Sequence, residues 1–126
     1  MNERTHSIES KVVAAAPLFP LCHRLSKHAG WWPEEITPET VATKLCLIHS
    51  EISEAMEGHR KGLMDDKIPH RPMIEVELAD AIIRIADLAE GLRLDLPGAL
   101  REKIIYNMTR PDHKPENRAK EGGKKY

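Results

Sequence analysis

The apolar residues of this 126-residue chain recur at helical spacing, and prolines and glycines divide them into separate segments. Apolar side chains at every third or fourth position form one stripe along a helix, whereas a half-buried strand alternates them at every second position. No segment keeps the alternating pattern over a useful length, and the sequence lacks the repeats of solenoid proteins. We therefore expect an all-α fold.

The first two predicted helices have clear end signals. We predict the first helix at residues 19–28, because Pro17 and Pro20 suit its first turn or the turn before it and Gly30 ends it. The second begins with Thr37 as its N-cap and Pro38 as its first residue. A threonine hydroxyl accepts from a free backbone N–H of the first turn, and proline has no N–H that would need a partner there. Gly58 and Gly62 mark its end.

The third and fourth helices follow after a loop. Residues 73–90 carry an apolar stripe, and Gly91 is the predicted stop signal. Asp95 is a candidate N-cap for the fourth helix, and Pro97 suits its first position. This helix runs to about Thr109, because the proline that follows cannot continue it. Short links between the helices predict a four-helix bundle.

The length of the chain fits one domain, residues 1–126, with a loose segment at residues 1–17 and a basic tail at residues 111–126. The apolar run at residues 12–19 is broken by Pro17 and is too short to cross a bilayer. The start of the sequence lacks a signal-peptide core, so we expect a cytoplasmic protein without a membrane partner. The net charge of -1 argues against a general nucleic-acid binder.

Two acidic pairs lie on the predicted second and third helices, Glu51 with Glu54 and Glu77 with Asp80. Residues three apart on a helix project to the same side, so each pair presents two carboxylates together. A solvated helix face explains either pair alone. If the two helices pack side by side, however, the four carboxylates repel one another unless a cation lies among them. Oxygen ligands without a histidine favour Mg²⁺, with Mn²⁺ as the alternative, over iron.

The predicted fourth helix carries a polar face formed by Lys103, Asn107 and Arg110. An ammonium, an amide and a guanidinium side by side suit a polyphosphate ligand. The alternative is an exposed last turn whose cations interact favourably with the helix dipole.

These motifs follow one another in the order Glu51-x-x-Glu54, Glu77-x-x-Asp80 and Lys103-x-x-x-Asn107-x-x-Arg110-Pro111. In this order they resemble the MazG-like all-α nucleoside triphosphate pyrophosphohydrolases. The run Leu94-Asp95-Leu96-Pro97 and the terminal Gly-Gly-Lys-Lys-Tyr resemble the dCTP pyrophosphatase branch in particular. The resemblance covers residues 25–126 and implies a four-helix MazG-like bundle that forms a homodimer or homotetramer.

The resemblance also implies hydrolysis of a (d)NTP, mainly of deoxynucleotides with dCTP-like or modified bases, to (d)NMP and pyrophosphate. Glu51, Glu54, Glu77 and Asp80 would then hold Mg²⁺, and either Glu51 or Glu54 would orient or deprotonate the attacking water. A metal on the phosphates offsets their charge and lowers the pKa of water. The side chains implied for the phosphates are Lys103, Asn107, Arg110, Lys124 and Lys125.

The base pocket is expected just before the metal-binding helix, where related enzymes enclose the base with aromatic side chains. His28, Trp31 and Trp32 occupy this region. An indole stacks well on a nucleobase, and we favour Trp32 for this role. The other tryptophan would then cap the core of the bundle.

Arg84 departs from the family pattern, because dCTP pyrophosphatases tend to have a tyrosine at this position. It could pair with Asp80 or Asp87, or contact a phosphate. The competing hypothesis is a non-catalytic helical module that binds nucleotides or partners without turnover. A nucleic-acid-binding bundle is opposed by the absence of a basic helix, so the expected partner is a small-molecule nucleotide.

Overall fold

The computed structural model describes residues 2–126, and within this range it contains helices and no β-strand. The all-α prediction is therefore confirmed. The elements in chain order are α1 (Glu3–Ala15), α2 (Leu18–His28), α3 (Pro38–Lys61), α4 (Met73–Gly91), α5 (Leu96–Thr109), a 3-10 turn (Pro111–His113) and the short α6 (Pro115–Arg118).

The four predicted helices correspond to α2, α3, α4 and α5, and their capping residues behave as the sequence indicates. The Thr37 hydroxyl accepts from the backbone N–H of Thr40, and the Thr40 hydroxyl accepts from the N–H of Thr37 in return. Pro38 opens α3, and Gly62 ends it in the left-handed conformation that glycine adopts without steric cost. The Asp95 carboxylate caps α5 by accepting from the N–H of Gly98 over 2.9 Å.

The N-terminal segment differs from the prediction, because α1 forms where the sequence suggested a loose chain. Asn2 caps this helix by accepting from the N–H of Thr5 over 2.8 Å. The helix was missed because it buries no residue and therefore has no apolar stripe to indicate it. The tail also contains local structure, in the form of the 3-10 turn and α6.

Contacts divide the chain into two compact units, one formed by Leu18–Leu94 and the other by residues 2–17 with residues 95–126. The expectation of a single domain stays a prediction. In the first unit α4 is the central helix, and both α2 and α3 pack against it. Small side chains dominate the buried apolar residues, which are Phe19, Cys22, Ala55, Ala81, Ala86, Leu88 and Ala89.

Large apolar side chains on α3 and α4 remain outside this core. Leu45, Ile52 and Met56 lie at helical spacing along α3, and Leu78, Ile82 and Ile85 lie at helical spacing along α4. All of them are exposed in the chain. The apolar stripes that predicted these helices are therefore only partly used for packing within one molecule.

α4 ends at Gly91, as the sequence predicts, but Gly91 is still helical and the left-handed residue that follows the helix is Arg93. The packing of Gly91 explains the glycine instead. A Cβ atom built at Gly91 would lie 2.2 Å from the Trp32 ring, so any larger residue would push the indole away. The glycine therefore permits close contact between α4 and the loop that carries Trp32.

In the second unit, α1 packs against α5. An ion pair between Glu9 and Arg101 joins the two helices. None of the helices within residues 2–126 combines the length and apolar character needed to cross a lipid bilayer.

Replacing Thr37 with alanine should lower the free energy of unfolding by about 1 kcal/mol, because it removes the reciprocal cap of α3. Urea denaturation followed by circular dichroism measures this change. Thr43→Ala on an exposed turn of the same helix is the matched control and should not destabilise the protein, since alanine is the better helix former. Equal stability of the two variants would contradict the role of the cap.

Candidate metal and ligand site

A cleft of about 1120 Å³ lies between α2 and α3, with α4 as its floor. It exists because α2 and α3 both pack against α4. Leucines and an isoleucine line its apolar part, which includes Leu21, Leu25 and Ile83. Charged groups from Glu51, Asp80, Lys44 and Arg84 complete the lining. The cleft can therefore hold a ligand that is apolar at one place and charged at another.

Three of the four predicted carboxylates converge where α3 packs against α4. One oxygen each from Glu51, Glu77 and Asp80 lies within 4.8 Å of the others. Ala55 and Ala81 follow one turn after Glu51 and Glu77, and both alanines are buried. Such small side chains let the two helices approach closely, and the approach brings the carboxylates together.

Glu54 is the exposed member of the set and lies outside the group of three. It is nevertheless close enough to affect the neighbouring acid, since a hydrogen bond with Glu54 contributes to the raised pKa of Glu77. The convergence predicted from the sequence thus holds for three side chains, with the fourth at the solvent edge.

The electrostatics of this group follow from burial and mutual repulsion. Burial, together with hydrogen bonds to Glu51 and Glu54, raises the pKa of Glu77 to about 8. Burial and the negative charge of Glu51 also raise the pKa of Asp80. Burial alone would raise the pKa of Glu51 as well, but hydrogen bonds from Glu77 and Arg84 hold it below its usual value. In the metal-free protein, Glu77 therefore carries a proton near neutral pH.

One oxygen of Glu77, Oε2, is buried and has no hydrogen-bond partner among residues 2–126. The residue as a whole is 8% exposed, so water does not solvate this oxygen freely. A buried, unpaired carboxylate oxygen is costly unless a proton or a cation lies beside it. The donor set consists of carboxylate oxygens only and fits a hard divalent cation such as Mg²⁺ or Mn²⁺.

Arg84 supplies the positive charge nearest to this group. Its Nε donates to Oε1 of Glu51 over 2.8 Å. The sequence suggested Asp80, Asp87 or a phosphate as its partner. The real partner is on α3, 33 positions away in the chain, and no local spacing could indicate it.

Asp65 is a further acidic residue that the sequence did not single out. It is buried in the loop between α3 and α4, where Oδ2 accepts from the backbone N–H groups of Lys67 and Ile68. Its charge contributes to the raised pKa of Asp80, so it belongs to the electrostatic surroundings of the three carboxylates.

The two tryptophans occupy different environments. The indole N–H of Trp32 donates to Oδ1 of Asp87 over 2.8 Å, and Nδ1 of His23 lies 2.9 Å from the same oxygen. The Lys44 ammonium lies 4.1 Å from the centre of the Trp32 ring and donates to the backbone oxygen of Trp31. Trp31 itself lines the cleft and is 72% exposed.

This arrangement separates the residues predicted for the base. Trp32 is anchored by side chains from α2, α3 and α4, whereas Trp31 is the ring that faces the cleft. His28 lies in the last turn of α2, is exposed and is not among the residues that line the cleft.

The residues predicted to hold phosphates belong to the second compact unit. There the Lys103 ammonium and the Arg110 guanidinium lie 5.1 and 5.8 Å from the centre of the Tyr106 ring. Arg110 and Lys124 both pair with Asp112.

These cations have a clear effect on their carboxylate partner, since they hold the pKa of Asp112 far below its usual value. Asn107 is half-buried, and its side-chain oxygen has no hydrogen-bond partner among residues 2–126. Lys125 is exposed, and its backbone oxygen accepts a hydrogen bond from the Arg118 side chain. The unit thus assembles Lys103, Arg110 and Lys124 around one tyrosine and one aspartate.

The chain matches no protein-family model, no curated protein and no solved structure. The resemblance to the MazG-like enzymes therefore stays a prediction that depends on the motifs and on the geometry of the carboxylates.

The metal-free protein should lose stability as the pH rises from about 5 to 8. Glu77 has a pKa of about 8 in the folded chain against an ordinary value of 4.5, so its stabilising contribution is complete below pH 4.5 and is lost as the pH passes 8. Glu51, whose pKa is lowered, acts in the opposite direction, but only near and below its ordinary value.

Thermal melting in EDTA at pH 5.5 and pH 8 measures this effect. Glu77→Gln should show a smaller fall in melting temperature than the wild type, whereas the exposed Glu75→Gln on the same helix should behave like the wild type. An equal fall in wild type and Glu77→Gln would contradict the raised pKa.

Replacing Asp87 with alanine should lower the free energy of unfolding by about 1–3 kcal/mol, because it leaves the Trp32 N–H without its acceptor. Asp87→Asn retains an acceptor oxygen, so its free energy of unfolding should fall by less. Urea denaturation followed by tryptophan fluorescence measures both changes, with the exposed Asp66→Ala as the control. Wild-type stability in Asp87→Ala would show that this anchor does not matter.

Proposed function

We propose that the protein is a Mg²⁺-dependent nucleoside triphosphate pyrophosphohydrolase that cleaves a (d)NTP to (d)NMP and pyrophosphate. The observation that carries this proposal is the buried oxygen of Glu77, which lies within the group of three carboxylates and finds no hydrogen-bond partner in the described residues 2–126. Acidic residues on a solvated helix face would not be buried beside one another. Their burial next to an open cleft supports a site for a cation and for the ligand that would share it.

Glu51, Glu77 and Asp80 are the residues that would hold the cation, and Mn²⁺ could replace Mg²⁺. The metal would offset the negative charge of the phosphates and make water more acidic. Binding requires the proton on Glu77 to leave, because a carboxylate is the ligand and a carboxylic acid is not.

Glu54 is the better candidate for activating water. It is exposed and stands beside Glu77, whereas Glu51 is buried and bonded to Arg84. In the reaction, the water oxygen bonds to the α-phosphorus while the bond to the β-phosphate oxygen breaks. Glu54 would accept the water proton, and pyrophosphate would leave with the electron pair of the broken bond.

The apolar part of the cleft suits the base of the nucleotide. Trp31 faces this space with most of its ring exposed and is therefore favoured over Trp32 for stacking. Trp32 would act through the loop, since its anchor on Asp87 limits where Trp31 can lie. A contribution from His28 receives no support from its exposed position at the end of α2.

Phosphate contacts by Lys103, Asn107, Arg110, Lys124 and Lys125 are part of the proposal. The clustering of Lys103, Arg110 and Lys124 supports an anion-binding role within their own unit. Assembly as a homodimer or homotetramer is also proposed. It would cover the exposed apolar side chains of α3 and α4, which include Ile52, Met56 and Ile82.

The decisive experiment is pyrophosphate release from a panel of canonical and modified dNTPs and NTPs, with Mg²⁺ and with EDTA. We expect release only with metal, and preference for a deoxynucleotide. Glu54→Gln should lower turnover by about 100-fold or more while leaving the helical circular dichroism unchanged. Glu57→Gln, one turn further along α3, is the matched control and should retain activity.

The competing function is a helical module that binds a nucleotide without hydrolysing it. The same cleft and carboxylates would serve it, so binding alone does not separate the two functions. A folded protein that binds a nucleotide with Mg²⁺ but releases no pyrophosphate from any member of the panel would favour this alternative. Full activity in Glu54→Gln would instead remove Glu54 from the catalytic group.

A further inference from the structure

The ion pair between Arg84 and Glu51 involves a carboxylate that a bound cation would need. Arg84 Nε donates to Glu51 Oε1 over 2.8 Å, and Glu51 belongs to the group of three carboxylates with Glu77 and Asp80. The Glu51 side chain is 9% exposed, which leaves little access for water as a substitute partner. Two positive groups, a guanidinium and a divalent cation, can therefore neutralise the same buried carboxylate.

Competition follows from the chemistry of that carboxylate. A charge-assisted hydrogen bond from arginine withdraws electron density from the oxygen, and the guanidinium charge repels a second cation nearby. A divalent cation that draws on the same carboxylate therefore weakens the ion pair, and one that takes Oε1 replaces it. The free energy of that exchange lowers the apparent affinity of the site for the metal.

We propose that Arg84 competes with the divalent cation for Glu51 and, once the cation is bound, serves as an anion-binding group on the wall of the cleft. This inference rests on the metal site of the proposed function, but it does not depend on turnover.

The second half of the proposal follows from the position of Arg84. Its side chain is 42% exposed and lines the cleft beside Asp80. The hydrogen bond to Glu51 comes from Nε, which leaves the two Nη groups as further donors. Guanidinium groups bind phosphates through several parallel donors, and release of Nε would add one more.

The other cation of the cleft is already engaged. Lys44 donates to the backbone oxygen of Trp31 and lies over the Trp32 ring, where it holds the loop. Among the residues that line the cleft, Arg84 is thus the positive side chain placed next to the carboxylates. Metal binding would convert it from a partner of Glu51 into a partner for a phosphate group.

The test is calorimetric titration of the metal-free protein with MgCl₂, followed by titration of inorganic pyrophosphate at saturating Mg²⁺. Arg84→Met should bind Mg²⁺ about tenfold more tightly than the wild type, and pyrophosphate about tenfold more weakly. Arg84→Lys keeps the charge and should bind Mg²⁺ with nearly wild-type affinity. Arg60→Met, which removes an exposed arginine paired with Glu57 on α3, is the control for the loss of a surface charge.

The opposite signs of the two effects separate this role from a structural one, since a damaged site would bind both ligands more weakly. Unchanged or weaker Mg²⁺ binding by Arg84→Met would overturn the inference. If that variant fails to fold, Arg84→Gln, which also removes the charge, takes its place with the same expected results and the same contradicting outcome. Absence of Mg²⁺ binding in all variants would refute the metal site and the inference with it. Tighter Mg²⁺ binding with weaker pyrophosphate binding, in a protein without turnover, would support the inference and refute only the proposed activity.

Discussion

The close packing of α3 against α4 is the constraint on which the candidate site depends. Ala55 and Ala81 are buried at this contact, and each lies one turn from a buried glutamate. Small side chains at these positions bring the helices near enough for carboxylate oxygens to lie within 4.8 Å of one another. The repulsion that results is relieved in the metal-free chain by a proton on Glu77 and by the guanidinium of Arg84. The fold thus maintains a concentration of negative charge that would be costly without such compensation.

The same small residues limit what the core can contribute to stability. Alanines bury little apolar area, whereas larger apolar side chains of α3 and α4, such as Ile52 and Ile82, remain exposed. Buried acidic side chains lower the free energy of unfolding, and burial of the exposed apolar side chains would offset this cost. Contact with a second copy of the chain would provide this burial, which is why the assembly and the carboxylate site belong to one hypothesis.

Signals between residues near in sequence predicted the helices. The features that were not predicted depend on contacts between residues far apart in the chain. Thr37, Gly62 and Asp95 marked helix ends correctly, because capping depends on neighbours in sequence. The sequence also predicted that each acidic pair lies on one side of its helix, since spacing determines which side chains share a face. By contrast, the partner of Arg84 lies on another helix, and α1 has no buried face, so neither could be inferred from spacing.

The tryptophan loop shows why residue type alone could not assign the site. The sequence favoured Trp32 over Trp31 for the base, but what distinguishes their environments is Asp87, 55 positions after Trp32. That carboxylate also contacts His23, and Lys44 covers the Trp32 ring, so all three helices of this unit fix one indole. Fixing Trp32 limits the freedom of the loop and keeps the exposed Trp31 at the cleft. Rigid support of Trp32 would therefore preorganise Trp31 if Trp31 stacks on the base, as we propose.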